Sequence, residues 1–177
     1  GWEGCIMTAR LQDKVALICG AGSIGPGWGN GKATAATFAR AGAKVFCVDL
    51  NMDAAAETAA IITGEGFEAT AHAADVSDEA AVADMVAACV AKYGRVDILH
   101  NNVGIASLGG PIDTTLAQWE RVMRVNVTSM FLTCQAVIPL FLEQGGGAIV
   151  NVSSLSATKA ARPELAYATS KGAVNAL

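Results

Sequence analysis

Tyr167 and Lys171 stand four residues apart in Tyr-Ala-Thr-Ser-Lys, and Ser154 lies thirteen positions before the tyrosine. Four residues make about one helical turn, so on a helix the phenol and the ammonium share one face. A neighbouring cation favours the phenolate and draws a tyrosine pKa down from its usual value of about 10. Such a pair can give and take a proton near neutral pH. Ser154 follows the apolar run AIVNV. Arriving from a strand end, its hydroxyl could hold a carbonyl or alkoxide oxygen against the phenol. Surface helices also place Tyr and Lys at this spacing by chance, so the reading depends on what precedes the pair.

A glycine-rich segment, Gly20-Ala-Gly-Ser-Ile-Gly-Pro-Gly-Trp-Gly-Asn-Gly31, follows the apolar run Lys14–Cys19. Glycines at a strand-to-helix turn let backbone N–H groups approach a pyrophosphate at the positive end of the helix. A literal Gly-x-Gly-x-x-Gly is present at Gly20, Gly22 and Gly25, but Pro26-Gly27 argues against a helix starting there. The helix is expected to open near Gly29, Asn30 and Gly31. Ser23 and Asn30 could add phosphate or backbone contacts. The second apolar run, KVFCVDL, ends in Asp49-Leu50. An acid at that strand end accepts hydrogen bonds from adenosine ribose hydroxyls and repels a 2′-phosphate. No Arg or Lys directly follows Asp49, so NAD is expected over NADP. The alternative for Asp49 is a carboxylate that merely caps the next turn.

The elements that would position these residues alternate. Strands are expected at Lys14–Cys19, Lys44–Leu50, Phe67–Ala74, Val96–His100 and Ala148–Val152. Helices are expected at Lys32–Ala41, Asp53–Gly64, Asp78–Tyr93 (capped by Asp78 or Ser77), Thr115–Leu142 and from Glu164 onward. Strict alternation implies parallel strands joined by right-handed crossovers, hence one doubly wound α/β domain. The chain has 177 residues, 53% of them hydrophobic, and a net charge of −4. That composition belongs to a packed domain rather than a disordered chain. With no basic block, nucleic acid is not an expected partner. The apolar runs read as shorter than a membrane span, so no membrane partner is expected. Cys5, Cys19, Cys47, Cys89 and Cys134 are scattered and never form Cys-x-x-Cys. They read as buried free thiols of a reducing cytosol, and a cytoplasmic location is the expectation. His72 and His100 lack ligand spacing, so both are read as structural and no metal is expected. Met7 resembles a natural start, which makes residues 1–10 an extension expected to be disordered, with the domain over residues 11–177. Leu177 stops inside an expected helix with no cap, Gly or Pro after it, so the chain reads as a fragment.

These pieces together resemble the short-chain dehydrogenase/reductases of the single-domain type. The segment from Gly29 to Val45 is similar to that family's glycine-opened first helix, and Asp75-Val76 to its adenine-contacting pair. Asn101-Asn102-Val103-Gly104 resembles its Asn-Asn-Ala-Gly, which steadies the sheet beside the cofactor. Asn126 in Val-Asn-Val, Asn151-Val-Ser-Ser154 and Tyr167-x-x-x-Lys171 complete the ordered set. Where the family has Thr-Gly-x-x-x-Gly-Ile-Gly, this chain has Cys19 for Thr, Asn30 for Ile and a longer loop.

The resemblance implies a Rossmann-like three-layer αβα fold lacking its C-terminal strands. It also implies hydride exchange between NAD(H) and a secondary alcohol or ketone. In that reading Tyr167 exchanges the substrate proton, Lys171 lowers its pKa and holds the nicotinamide ribose, and Ser154 hydrogen-bonds the substrate oxygen. Asn126 binds a water that links Lys171 to solvent. The dinucleotide would meet Gly20, Ser23, Gly29, Asn30, Gly31, Asp49, Leu50, Asp75, Val76, Asn102, Val103, Gly104, Tyr167 and Lys171. Ser107–Pro111 and Leu155–Pro163 would form part of one substrate wall. A homodimer or homotetramer is implied for the complete protein. Plainer roles are a backbone bridge for Asn126, a loop hydroxyl for Ser154 and an interface residue for Tyr167. The rival function is a non-catalytic dinucleotide-binding or dimerisation fragment. A sugar-nucleotide epimerase would need a larger substrate domain.

Overall fold

Val15–Cys19 (β1) is a run of five apolar residues, every one of them buried. Side chains alternate along a strand. Val15, Leu17 and Cys19 therefore join one core, and Ala16 and Ile18 the other. A strand apolar on both faces belongs in the middle of a parallel sheet. The computed structural model describes residues 10–159 and 162–177 and places β1 there. The expected N-terminal extension lies outside the described residues except for Arg10.

The other strands are Lys44–Asp49 (β2), Ala69–Ala73 (β3), Ile98–Asn101 (β4) and Ala148–Asn151 (β5). All pairings are parallel, in the order β3-β2-β1-β4-β5. The direction of winding reverses between β1 and β4, which opens a crevice at the carboxyl ends of those two strands. Leu17 pairs with Phe46 on one side and with Leu99 on the other. One core packs Leu17, Phe46, Leu99, Met85, Val137 and Phe141. The other packs Ile18, Val45 and Cys47 against Ala35, Ala36, Ala39 and Ile62. The doubly wound parallel α/β fold is the one expected.

Local chemistry sets the helix limits. Helix α1 (Asn30–Arg40) starts one residue after Gly29, as the sequence suggests. Helix α2 (Met52–Gly64) is capped by the Asn51 side chain on Asp53 N at 2.9 Å. Helix α3 (Glu79–Tyr93) is capped by Asp78, not Ser77, and ends at Gly94 with φ 80°. The single helix expected over Thr115–Leu142 is in fact three pieces. Helix α4 (Leu116–Met123) opens with a capping box between Thr115 and Gln118. A π-turn occupies Arg124–Thr128, and α5 (Ser129–Gln144) follows. Such turns insert a residue into a helix and often lie at functional sites.

The run Leu116–Gln144 is 29 residues long, and by length and composition it could cross a membrane. The expectation that no run approaches that length needs this correction. The segment nonetheless packs against the sheet. It buries Val122, Met130, Val137 and Phe141, and its buried Asn126, Ser129 and Thr133 all have hydrogen-bond partners. Helix α6 (Leu165–Ala176) packs against α4 and the π-turn.

Candidate active site

The crevice between β1 and β4 is a cleft of about 940 Å³. Gly20, Gly22, Ser23, Asp49, Leu50, Asp75, Val76 and Ser77 line it. Asn102, Val103 and Gly104 also line it, as do Arg121 and Arg124. Nine of the residues expected to meet a dinucleotide thus line one cavity. Asn30 and Gly31 belong to the first turn of α1, which carries no acidic side chain and no side-chain cap.

Close approach explains two of the glycines. Gly20 has φ 80°, and a Cβ there would come within 3.1 Å of Val103 N. At Gly31 a Cβ would overlap the Gly20 carbonyl oxygen and lie 2.9 Å from Asn102 Nδ2. Asn102 Nδ2 itself donates to Gly20 O at 3.2 Å. Bare backbone at these points seats the start of α1 directly on the end of β1.

Three expected ligand contacts are engaged within the protein. Ser23 Oγ accepts from Gly29 N at 2.9 Å and donates to Gly27 O at 3.2 Å, so it staples the longer loop. The Asp49 carboxylate accepts from Gly22 N and from Asn51 N, each at 3.0 Å. The turn-capping alternative therefore holds for Asp49, which also faces the cleft. Asp75 Oδ1 accepts from the Ser77 hydroxyl at 2.7 Å and the Ser77 amide at 2.9 Å. These two bonds, with a smaller pull from Arg124, hold the exposed Asp75 carboxyl below its usual range.

At the far end, a Cβ on Gly104 would lie 3.3 Å from Lys171 Nζ and 3.6 Å from Asn126 Oδ1. The cleft thus ends against Lys171. Its ammonium is buried, donates to Val152 O at 2.7 Å and lies 5.8 Å from the centre of the Tyr167 ring. Burial pushes the Lys171 pKa down. Tyr167 is half-buried on the same face of α6. Ser154 Oγ accepts from Ser156 N at 3.2 Å.

Asn126 is fully buried, and its carboxamide is occupied. Oδ1 accepts from Ile105 N at 2.8 Å, while Nδ2 donates to Ile105 O and to Ser170 Oγ, each at 2.9 Å. The structure gives the side chain the backbone bridge set against its catalytic reading. Ser170 Oγ in turn donates to Tyr167 O at 2.7 Å, so Asn126 is tied to the tyrosine's own helix.

The roles of Thr58 and Glu164 escaped the sequence reading, whereas the sheet-steadying role expected of Asn101 has named partners. Thr58 Oγ1 holds the glycine loop through Ala21 O at 2.9 Å. Asn101 Nδ2 donates to Asn151 Oδ1 and its Oδ1 accepts from Thr133, both at 2.9 Å, which locks β4, β5 and α5 together. Glu164, buried just before α6, accepts from Ser156 Oγ at 2.6 Å and from Arg162 Nε at 3.2 Å. The Ser156 bond, then Arg162, holds its carboxyl below the usual range. Gly109 bridges to this segment, giving 2.9 Å bonds to Pro163 O and from Leu165 N. The two stretches expected to share a substrate wall do meet. His100 is buried, edge-on to Phe38 at 6.1 Å between ring centroids.

Fold and sequence comparisons agree. The profile of the short chain dehydrogenase family matches residues 14–177, and the chain belongs to that family. It is 41% identical over 162 residues to a D-threitol dehydrogenase of Mycolicibacterium smegmatis, covering 92% of this chain and 60% of that protein. A short-chain dehydrogenase/reductase structure from Burkholderia xenovorans superposes with TM-score 0.91 at 46% identity, covering 93% of this chain and 66% of the other. A 7α-hydroxysteroid dehydrogenase solved with NADH and 7-oxo glycochenodeoxycholic acid gives TM-score 0.89 at 35% identity, covering 96% of this chain and 64% of the other. The chain therefore spans 60% to 66% of the lengths of these proteins.

Proposed function

We propose that the protein exchanges a hydride between NAD(H) and a secondary alcohol or ketone, with Ser154, Tyr167, Lys171 and Asn126 as its working residues. The observation that carries this reading is the end of the cleft. There Gly104 leaves room beside the buried Lys171 ammonium, which lies over the Tyr167 ring. The residues fit a dinucleotide. The first turn of α1 offers backbone N–H groups to a pyrophosphate, and Asp49 sits where a ribose diol would be held. When bound, the nicotinamide gives or takes the hydride at the substrate carbon.

The chain's own residues handle the oxygen. Ser154 has its hydroxyl hydrogen to donate, since its oxygen accepts from Ser156 N. That donor stabilises charge on the substrate oxygen. Tyr167 supplies the proton in reduction and removes it in oxidation. Lys171 places a positive charge beside the Tyr167 ring. Asn126 fixes the strand-end loop at Ile105 and the helix at Ser170, and through them the spacing between cleft and phenol. Only the second lone pair of its Oδ1 is left for the water expected there.

The test pairs binding with turnover. NADH should bind the 177-residue chain, read by its fluorescence. NAD-linked oxidation of a panel of secondary alcohols should fall about 10²–10⁴-fold in Tyr167→Phe, with NADH still bound. Near-full activity in Tyr167→Phe would refute the chemistry. A second reading, a dimerisation and dinucleotide-binding unit without catalysis, is favoured by the exposed stripe Phe131, Ile138 and Leu142 on α5. NADH binding and dimer formation with no turnover would select it. Buried Cys19, Cys47 and Cys89 as free thiols support a reducing, cytoplasmic setting.

A further inference from the structure

The wall of the cleft contributed by α4 and the π-turn is one helix face: Ala117, Glu120, Arg121, Arg124 and Val125. Among the residues lining the cleft, only Arg121 and Arg124 are cations. The rest of the lining includes acids and apolar groups, Asp49, Leu50, Asp75 and Val76. Among the described residues, neither arginine's side chain makes a hydrogen bond or an ion pair. Arg124 is exposed and its charge reaches Asp75. The π-turn starts at Arg124, whose carbonyl accepts from Ser129 N five residues on. That wider turn ends the regular helical phase of α4 at this residue.

An exposed guanidinium with no partner, set across a cleft from a carboxylate, calls for a ligand part that is flat and carries polar edges. Asp75 supports this from the other side. Its Oδ1 is filled by both Ser77 donors, no described residue donates to Oδ2, and Asp75 lines the same cleft. A purine with an exocyclic amino group meets both demands. The amine donates to the carboxylate, the ring lies against Val76 and Leu50, and the guanidinium covers the open face or donates to a ring nitrogen. We infer that Arg124 is a base-recognition residue that closes the adenine end of the cleft over the ring. This rests on the dinucleotide reading of the cleft and adds a residue that neither the motifs nor the ribose acid supplies.

The experiment measures binding, not turnover, by titrating the 177-residue chain with NADH, ADP-ribose and reduced nicotinamide mononucleotide, which lacks the adenosine half. Arg124→Leu should weaken NADH and ADP-ribose about tenfold and leave the mononucleotide unchanged. Arg124→Lys keeps the charge but not the plane and should lose most of the same affinity. Because the side chain is exposed, both variants should melt like the unmodified protein, and Arg124→Gln stands in if one does not. Unchanged NADH affinity in Arg124→Leu overturns the inference. So does an equal loss for the mononucleotide, or full affinity in Arg124→Lys. No NADH binding by the unmodified chain is a different failure, which sinks the dinucleotide reading itself and the inference with it.

Discussion

Replacing Gly31 by alanine sets two physical effects of opposite sign against each other. On helix propensity alone Gly31→Ala stabilises, since glycine inside a helix costs about 0.5–1 kcal/mol relative to alanine. The tertiary structure opposes it. The new Cβ would overlap Gly20 O and stand 2.8 Å from Gly20 C. Gly20 cannot retreat. Its N–H and that of Ala21 both donate to Val48 O at 2.8 Å, and its oxygen accepts from Asn102. The start of α1 must lift instead, although Ala35, Ala36 and Ala39 are buried against the sheet. Overpacking of this kind costs about 1–3 kcal/mol, and backbone on both sides of the clash places it at the upper end. Subtracting the propensity gain leaves a net loss of about 2 kcal/mol. With a urea slope of about 2 kcal/mol/M, the unfolding midpoint falls by about 1 M. Far-UV circular dichroism and tryptophan fluorescence should report it together. Gly25→Ala is the control, since a Cβ there meets nothing within 4 Å, and its change should stay within about 0.5 kcal/mol. A midpoint for Gly31→Ala equal to or above that of the unmodified chain would refute the argument.

Two more outcomes follow from charges at either end of the cleft. Asp49→Ala combined with Leu50→Arg should shift dinucleotide preference toward NADP, because a carboxylate beside the 2′ position is exchanged for a cation; equal binding of both cofactors by the unmodified chain would remove the basis for this. Lys171 has its folded pKa depressed by burial, so its contribution to stability is complete above the unfolded value of about 10.4 and is lost as pH falls through the folded value. Lys171→Met cannot titrate there, so its stability relative to the unmodified chain should be greatest near neutral pH and shrink as pH approaches about 10.4; a difference in urea midpoint that stays constant with pH would contradict this.

How far the sequence could be read depended on whether a feature was set locally. The run Val15–Cys19 declares a central strand by itself, because five apolar residues in a row suit no half-exposed position. Asp78 and Gly94 mark the ends of α3 through bonds and a backbone conformation that involve only their neighbours. The start of α1 at Asn30 was legible because Pro26 and Gly27 exclude an earlier one. The π-turn was not legible. Arg124–Thr128 has ordinary helix formers and β-branched residues, and its altered phase suits contacts made elsewhere.

The candidate site divides along the same line. Residue types announced which groups could act, but partners far along the chain decided what each one touches. Asn126 was visible as a polar residue between two valines, yet its bonds run to Ile105 and Ser170, 21 and 44 positions away. A carboxamide can hold water or bridge backbone equally well, and only those distant groups determine which. The pairing of Lys32 with Glu57 across 25 residues is of the same kind, and so is the Asn101–Asn151 link across 50. Arg124 shows the opposite case. Its spacing from Ala117 and Arg121 was readable as a helix face, but nothing in the sequence said that the face looks across a cleft at Asp75. That fact depends on β3 and β4 lying on opposite sides of β1. A motif therefore locates chemistry when its residues close on one another locally, as Tyr167 and Lys171 do on α6. Where the fold itself makes the approach, residue type narrows the possible roles and the sheet order selects among them.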